Sequence, residues 1–146
     1  MKLRGLIVLG LVLAFGAVKA ADDADKDKEK LQGAWQPIAA IERGEEQSKE
    51  KLKNRKITFK GDKITVKHDE EVHDVTFKLD ASKKPKEIDV TGKDKEGKEQ
   101  QMKGIYELKG DTLKVCLAME GGDRPSKFES PDGSKLIFVT LERIKE

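Results

Sequence analysis

A hydrophobic period of two runs through most of this chain and sets what it can fold into. Ile57 and Phe59 alternate with Thr58 and Lys60, and after Gly61 and Asp62 the pattern resumes with Ile64 and Val66 against Thr65 and Lys67. Val75, Phe77 and Leu79 alternate with Thr76 and Lys78, and Ile88 and Val90 form a shorter segment. Gly104, Tyr106 and Leu108 run into Gly110 and Asp111, after which Leu113, Val115 and Leu117 alternate with Thr112 and Lys114. Residues 136–144 close the chain with a longer, mostly apolar run. A strand turns successive side chains to opposite faces, so alternation of this kind marks strands with one buried and one wet face. The Gly-Asp breaks are tight-turn chemistry, because glycine reaches the positive φ that short hairpin turns require. With the stretch from Trp35 to Ile41, about eight short strands follow one another at regular spacing. That pattern predicts a mainly β fold, a small antiparallel barrel with one short helix; the alternative is a β-sandwich.

Two stretches echo each other, 58–67 and 107–115, both built around Lys-Gly-Asp. Two hairpins that solve the same turn problem account for this without a duplication. The predicted helix is Glu45 to Asn54, rich in helix formers but with only Leu52 as an apolar anchor. Charged residues make up 40% of the chain and aromatics only 5%, so the core has to be built mainly from Val, Ile and Leu.

The N-terminus reads differently. Lys2 and Arg4 precede an almost uninterrupted apolar run from Leu6 to Phe15, and Val18-Lys19-Ala20 offers a cleavage site. These are the parts of a secretory signal peptide, which predicts export to the periplasm or beyond. The run is short of the roughly 20 apolar residues that cross a bilayer, and no later stretch approaches that length, so no membrane span is expected in the mature chain. The domain boundaries expected are a signal peptide at 1–20, a solvated charged linker at 21–30, and a barrel domain at 31–146. Taking Lys2, Arg4 and Lys19 from 30 basic residues leaves 27 against 28 acidic ones, a formal charge of −1. Bases and acids are interleaved, whereas a nucleic-acid binder shows a clustered basic surplus, so nucleic acid is not an expected partner. The single cysteine, Cys116, excludes an internal disulfide.

The ordered part opens on Leu31-Gln32-Gly33-Ala34-Trp35. A glycine two residues before a tryptophan, at the first strand of a small barrel, resembles the start motif of the lipocalins. That resemblance implies a late arginine packed across the tryptophan ring, and Arg143 is placed to be it. A wider resemblance spans nearly all of 31–146. It runs through Lys56 to Asp62, Phe77 to Asp80 with Lys83 to Asp89, Gly104 to Cys116, and Arg124 to Phe128. Together these are similar to an uncharacterised family of exported, lipocalin-like domains of planctomycete-type bacteria. The resemblance implies a fold, export, and structural roles for Gly33, Trp35 and Arg143; it implies no activity.

Three places invite chemistry. Both histidines, His68 and His73, lie in one acidic stretch, and imidazole with carboxylate suits zinc or copper. Their spacing matches no standard site, so no metal is expected and a polar hairpin tip is the plain reading. Cys116 should point away from the core, without a base to activate it. Gly121-Gly122-Asp123-Arg124 is a loop whose arginine is a candidate anion clamp. Tyr106, Met102, Phe77, Phe59 and Met119 are the candidates to line a barrel interior. No cofactor motif and no catalytic set is found. The expected function is non-catalytic binding by a monomer: a small ligand in or at the mouth of the barrel, or a protein partner if the barrel is filled.

Overall fold

The computed structural model describes residues 23–119 and 121–145. The expected signal peptide and its cleavage site lie outside the described residues. Nine strands form one antiparallel sheet: β1 Gly33–Glu42, β2 Glu45–Glu46, β3 Arg55–Lys60, β4 Lys63–His68, β5 Glu71–Asp80, β6 Lys86–Lys93, β7 Glu99–Lys109, β8 Thr112–Ala118 and β9 Leu136–Arg143. Each pairs with the next along the chain except at β2, which only extends β1. β1 pairs with β3 over Gly33–Trp35 and with β9 over Trp35–Glu42, so the sheet closes on itself as an eight-stranded barrel rather than a sandwich. Closure leaves no outer edge along most of the wall.

The turns follow the sequence chemistry. Gly61 and Gly110 take positive φ (62° and 56°) between β3 and β4 and between β7 and β8. Asp69 does so at 56° between β4 and β5, a conformation that aspartate tolerates. β1 carries a bulge between Pro37 and Ala39, where the missing N–H of Pro37 breaks the ladder and leaves Ile38 exposed.

Two expectations about helices are corrected. Residues 23–31 form a helix, α1, not a solvated linker, and it packs over one end of the barrel with Asp27 and Leu31 buried. The segment looked soluble because its charges cluster; what it buries is one leucine and one paired carboxylate, too little to show as a period. The domain therefore begins before residue 31. The second helix, α2, is only Lys49–Lys53, capped by the Ser48 hydroxyl, which accepts from the Lys51 amide. Glu45 and Glu46 pair instead with Glu42 and Ile41, because the Arg43–Gly44 turn (φ 54° and 87°) folds them back on β1. The offer of main-chain partners from β1 overrides helix propensity there.

Inward positions at the α1 end are tightly filled. Trp35, Phe59, Phe77, Ile88, Tyr106, Leu113 and Leu141 are all below 5% exposed, and Phe59 meets Phe77 edge-on with centroids 5.4 Å apart. Toward the other end Ile57, Val66, Val75, Met102, Leu117 and Val139 are only partly buried against this cluster.

Candidate functional site

The closed end shows how completely its polar groups are employed. The Arg143 guanidinium lies over the Trp35 ring, 4.4 Å from its centroid, and donates to the carbonyls of Gln32 (3.0 Å) and Lys30. A further bond joins it to Asp111 at 3.3 Å. Gly33 sits beneath, where an added Cβ would lie 3.5 Å from the Arg143 guanidinium, and its φ of 116° suits glycine alone. The indole N–H donates to the Leu31 carbonyl at 2.8 Å, so the same tryptophan ties α1 to the barrel. Beside it, Asp27 accepts from the Tyr106 hydroxyl at 2.7 Å and from the Lys86 ammonium at 2.9 Å. Burial, followed by the bond to Asp27, pushes the Tyr106 phenol far above its ordinary range. This cluster latches a helix, with the Tyr106 hydroxyl and the Lys86 ammonium both turned to the Asp27 carboxylate.

Arg124 is likewise engaged. Its guanidinium donates to the Gly104 carbonyl at 2.8 Å and the Ile88 carbonyl at 3.4 Å, bonds Asp89 at 2.7 Å, and lies 3.5 Å from Glu87. These groups lie on the outer surface of β6 and β7. Two carboxylates already neutralise the cation expected to clamp an anion, and its task is to pin the segment 121–135 against the wall. Beneath that connection lie Ile105 and Cys116, both buried, with Phe128 against Phe138 at 6.0 Å. The Cys116 thiol donates to the Glu129 carbonyl at 3.3 Å, and burial raises its pKa, the opposite of what a nucleophile needs. Gly104 lets β7 lie close against β8: a Cβ there would lie 2.5 Å from the Cys116 carbonyl oxygen.

The remaining candidates are dispersed. Tyr106, Phe77 and Phe59 belong to the packed interior, while Met102 stands at the partly buried end. Met119 lies outside the barrel and accepts from Arg43 at 3.4 Å. His68 is opposite Glu71 and His73 opposite Val66, so the hairpin staggers the two imidazoles instead of facing them. Each lies near one exposed carboxylate, Asp69 at 3.7 Å and Glu71 at 3.6 Å, and no cluster of three potential metal ligands occurs among the described residues.

What the sequence reading missed is on the outer wall. A hollow of about 540 Å³ runs from Ala24 and Asp25 of α1 past Lys78 and Asp89 to Thr76 and Thr91. A second, of about 780 Å³, shares Thr76 and Thr91 and continues to Val72, Asp74, Gly92 and Lys93. The two make one trough along the β5–β6 seam. Its signal in the sequence is slight: Val72, 56% exposed, is the apolar residue on the wet face of β5. No family model, curated protein or solved structure matches this chain.

Proposed function

We propose that the chain is an exported, non-catalytic binding module in which a filled barrel is the scaffold and the outer trough along β5 and β6 receives a protein partner. The observation that carries this reading is where the space lies. The interior at the α1 end is filled by Trp35, Phe59, Phe77 and Tyr106, while the hollows of about 540 and 780 Å³ open on the outside of the wall. A filled eight-stranded barrel offers rigidity rather than a ligand chamber. Export rests on the signal-peptide pattern of residues 1–20, and the lipocalin-like family resemblance accords with it. The absence of catalysis is supported by the polar clusters themselves, since Asp27, Tyr106, Arg124 and Cys116 all serve to hold chain segments in place.

One observation favours a second reading, a small apolar ligand at the mouth. Ile57, Val66, Met102, Leu117 and Val139 point inward at the end away from α1 and stay partly exposed. Native mass spectrometry of the chain, purified gently from the cells that make it, separates the two. A bare mass, together with photo-cross-links to another protein from Thr76 but not from Met102, is the expected outcome. A non-covalent small-molecule adduct that vanishes on denaturation overturns the first reading in favour of the second.

A further inference from the structure

β5 is paired on both sides only at Thr76, and each half of the strand on either side of it has one partner. It pairs with β4 from Glu71 to Thr76, but with β6 only from Thr76 to Asp80. The Phe77 amide donates to the Asp62 carbonyl at 3.0 Å, on the β4 side, so odd-numbered residues of β5 turn their main-chain groups toward β4. Even-numbered ones turn theirs toward β6, because N–H and C=O alternate sides along a strand. Thr76 therefore meets Thr91, whereas Val72 and Asp74 direct an N–H and a C=O each to a side where no described strand pairs with them. At the end away from α1, where the β4–β5 hairpin parts from the β6–β7 hairpin, this is a free strand edge, and the hollow of about 780 Å³ lies along it.

We propose that the edge Glu71–Val75 is a strand-addition site that takes an extended segment of a partner protein. This rests on the reading that the outer trough binds protein, and it names how. Five residues of strand span about 17 Å, an ordinary strand length, so the edge is long enough to define a register. Main-chain pairing supplies attraction, and alternate side chains supply selectivity. The charges along the trough fix the chemistry of the occupant. Asp74 stands on the β5 side, with Lys63 below and Lys93 on the β6 side; Glu99 is the cross-strand neighbour of Lys93. Both signs are present in equal number, so the segment that fits carries one base toward Asp74 and one acid toward the lysines on its outer face. Its inner face meets Val75 and Gly92. An added Cβ on Gly92 would lie 2.8 Å from a Val75 methyl, so that floor is shallow and favours small apolar residues. Val72 adds an exposed apolar contact on the outer face.

The test pans the full chain, as its own cells process it, against a displayed library of random nine-residue peptides, and the strongest binder is synthesised. N-methylation of its backbone is then scanned one amide at a time, which leaves the protein untouched. The expected result is alternation: methylation at every second amide weakens binding at least tenfold, and methylation at the intervening ones leaves it within about twofold. On binding, the Val72 and Asp74 amides slow in hydrogen exchange at least tenfold. Equal tolerance of all methylations, or protection elsewhere, overturns strand addition while leaving a protein-binding surface intact. Self-association of the chain through the same two amides without peptide makes the occupant a second copy and also overturns the proposal. If no peptide binds at all, the protein-binding reading falls with it.

Discussion

Tyr106 is the chain's single tyrosine, and its hydroxyl is held by Asp27 at 2.7 Å under full burial. Its pKa in the folded state is raised above the ordinary value of 10.0. A raised folded value means that the contributed stability is whole below the unfolded pKa and is lost as pH climbs through the range above it. Absorbance at 295 nm during alkaline titration should show no phenolate near pH 10, and then a rise that coincides with unfolding. A simple titration at the ordinary value would show that Tyr106 is not locked to α1. At the opposite side of the same end, Arg143→Ala removes the stack on Trp35 together with the bonds to the carbonyls of Lys30 in α1 and of Gln32 just after it. The expected cost is about 1–3 kcal/mol. Because Trp35 is the only tryptophan, a red shift of its emission reports the loosened end directly.

Among the elements, the connection over 121–135 is pinned to β6 and β7 by one side chain. Arg124 joins it to β6 and β7 through two carbonyls and two carboxylates, and the connection in turn covers Cys116. Arg124→Met should leave the barrel folded, cost about 1–3 kcal/mol, and open the flap locally. The expected sign is a rate of Cys116 modification by a thiol reagent at least about tenfold above that of the unaltered chain. An unchanged rate would mean that the Phe128–Phe138 contact and the buried Ser130, whose hydroxyl donates to the Leu136 carbonyl at 2.6 Å, hold the flap without the arginine. α1 belongs to the same scale. Leu31→Ala removes a side chain that is 1% exposed and should cost about 2–4 kcal/mol, where truncating a residue of a solvated linker would cost almost nothing. Urea unfolding of the variant distinguishes the two.

For the whole molecule, one cluster of inward side chains runs from Leu31 to Leu141 and draws on α1 and on β1 and β3–β9. Closure of β1 on β9 makes the first and last strands mutually dependent, so unfolding by urea should be a single transition, with Trp35 emission and far-ultraviolet dichroism superimposed. A reducing agent should leave its midpoint unchanged, since the single cysteine forms no bridge. Alternation and positive-φ glycines are local signals, so the strands and their turns were legible along the chain: the runs at 57–60, 64–66, 75–79 and 113–117 lie within β3, β4, β5 and β8. The sequence also placed Cys116 on the outer face, since side-chain direction follows from counting along a strand. Long-range contacts alone settle that 23–31 is a helix latched by Asp27, that Arg124 is held by Asp89 and Glu87, and that β5 parts from β6 over Glu71–Val75. Those outcomes join residues up to 79 positions apart in the chain, and no local period records a partner that arrives from so far away.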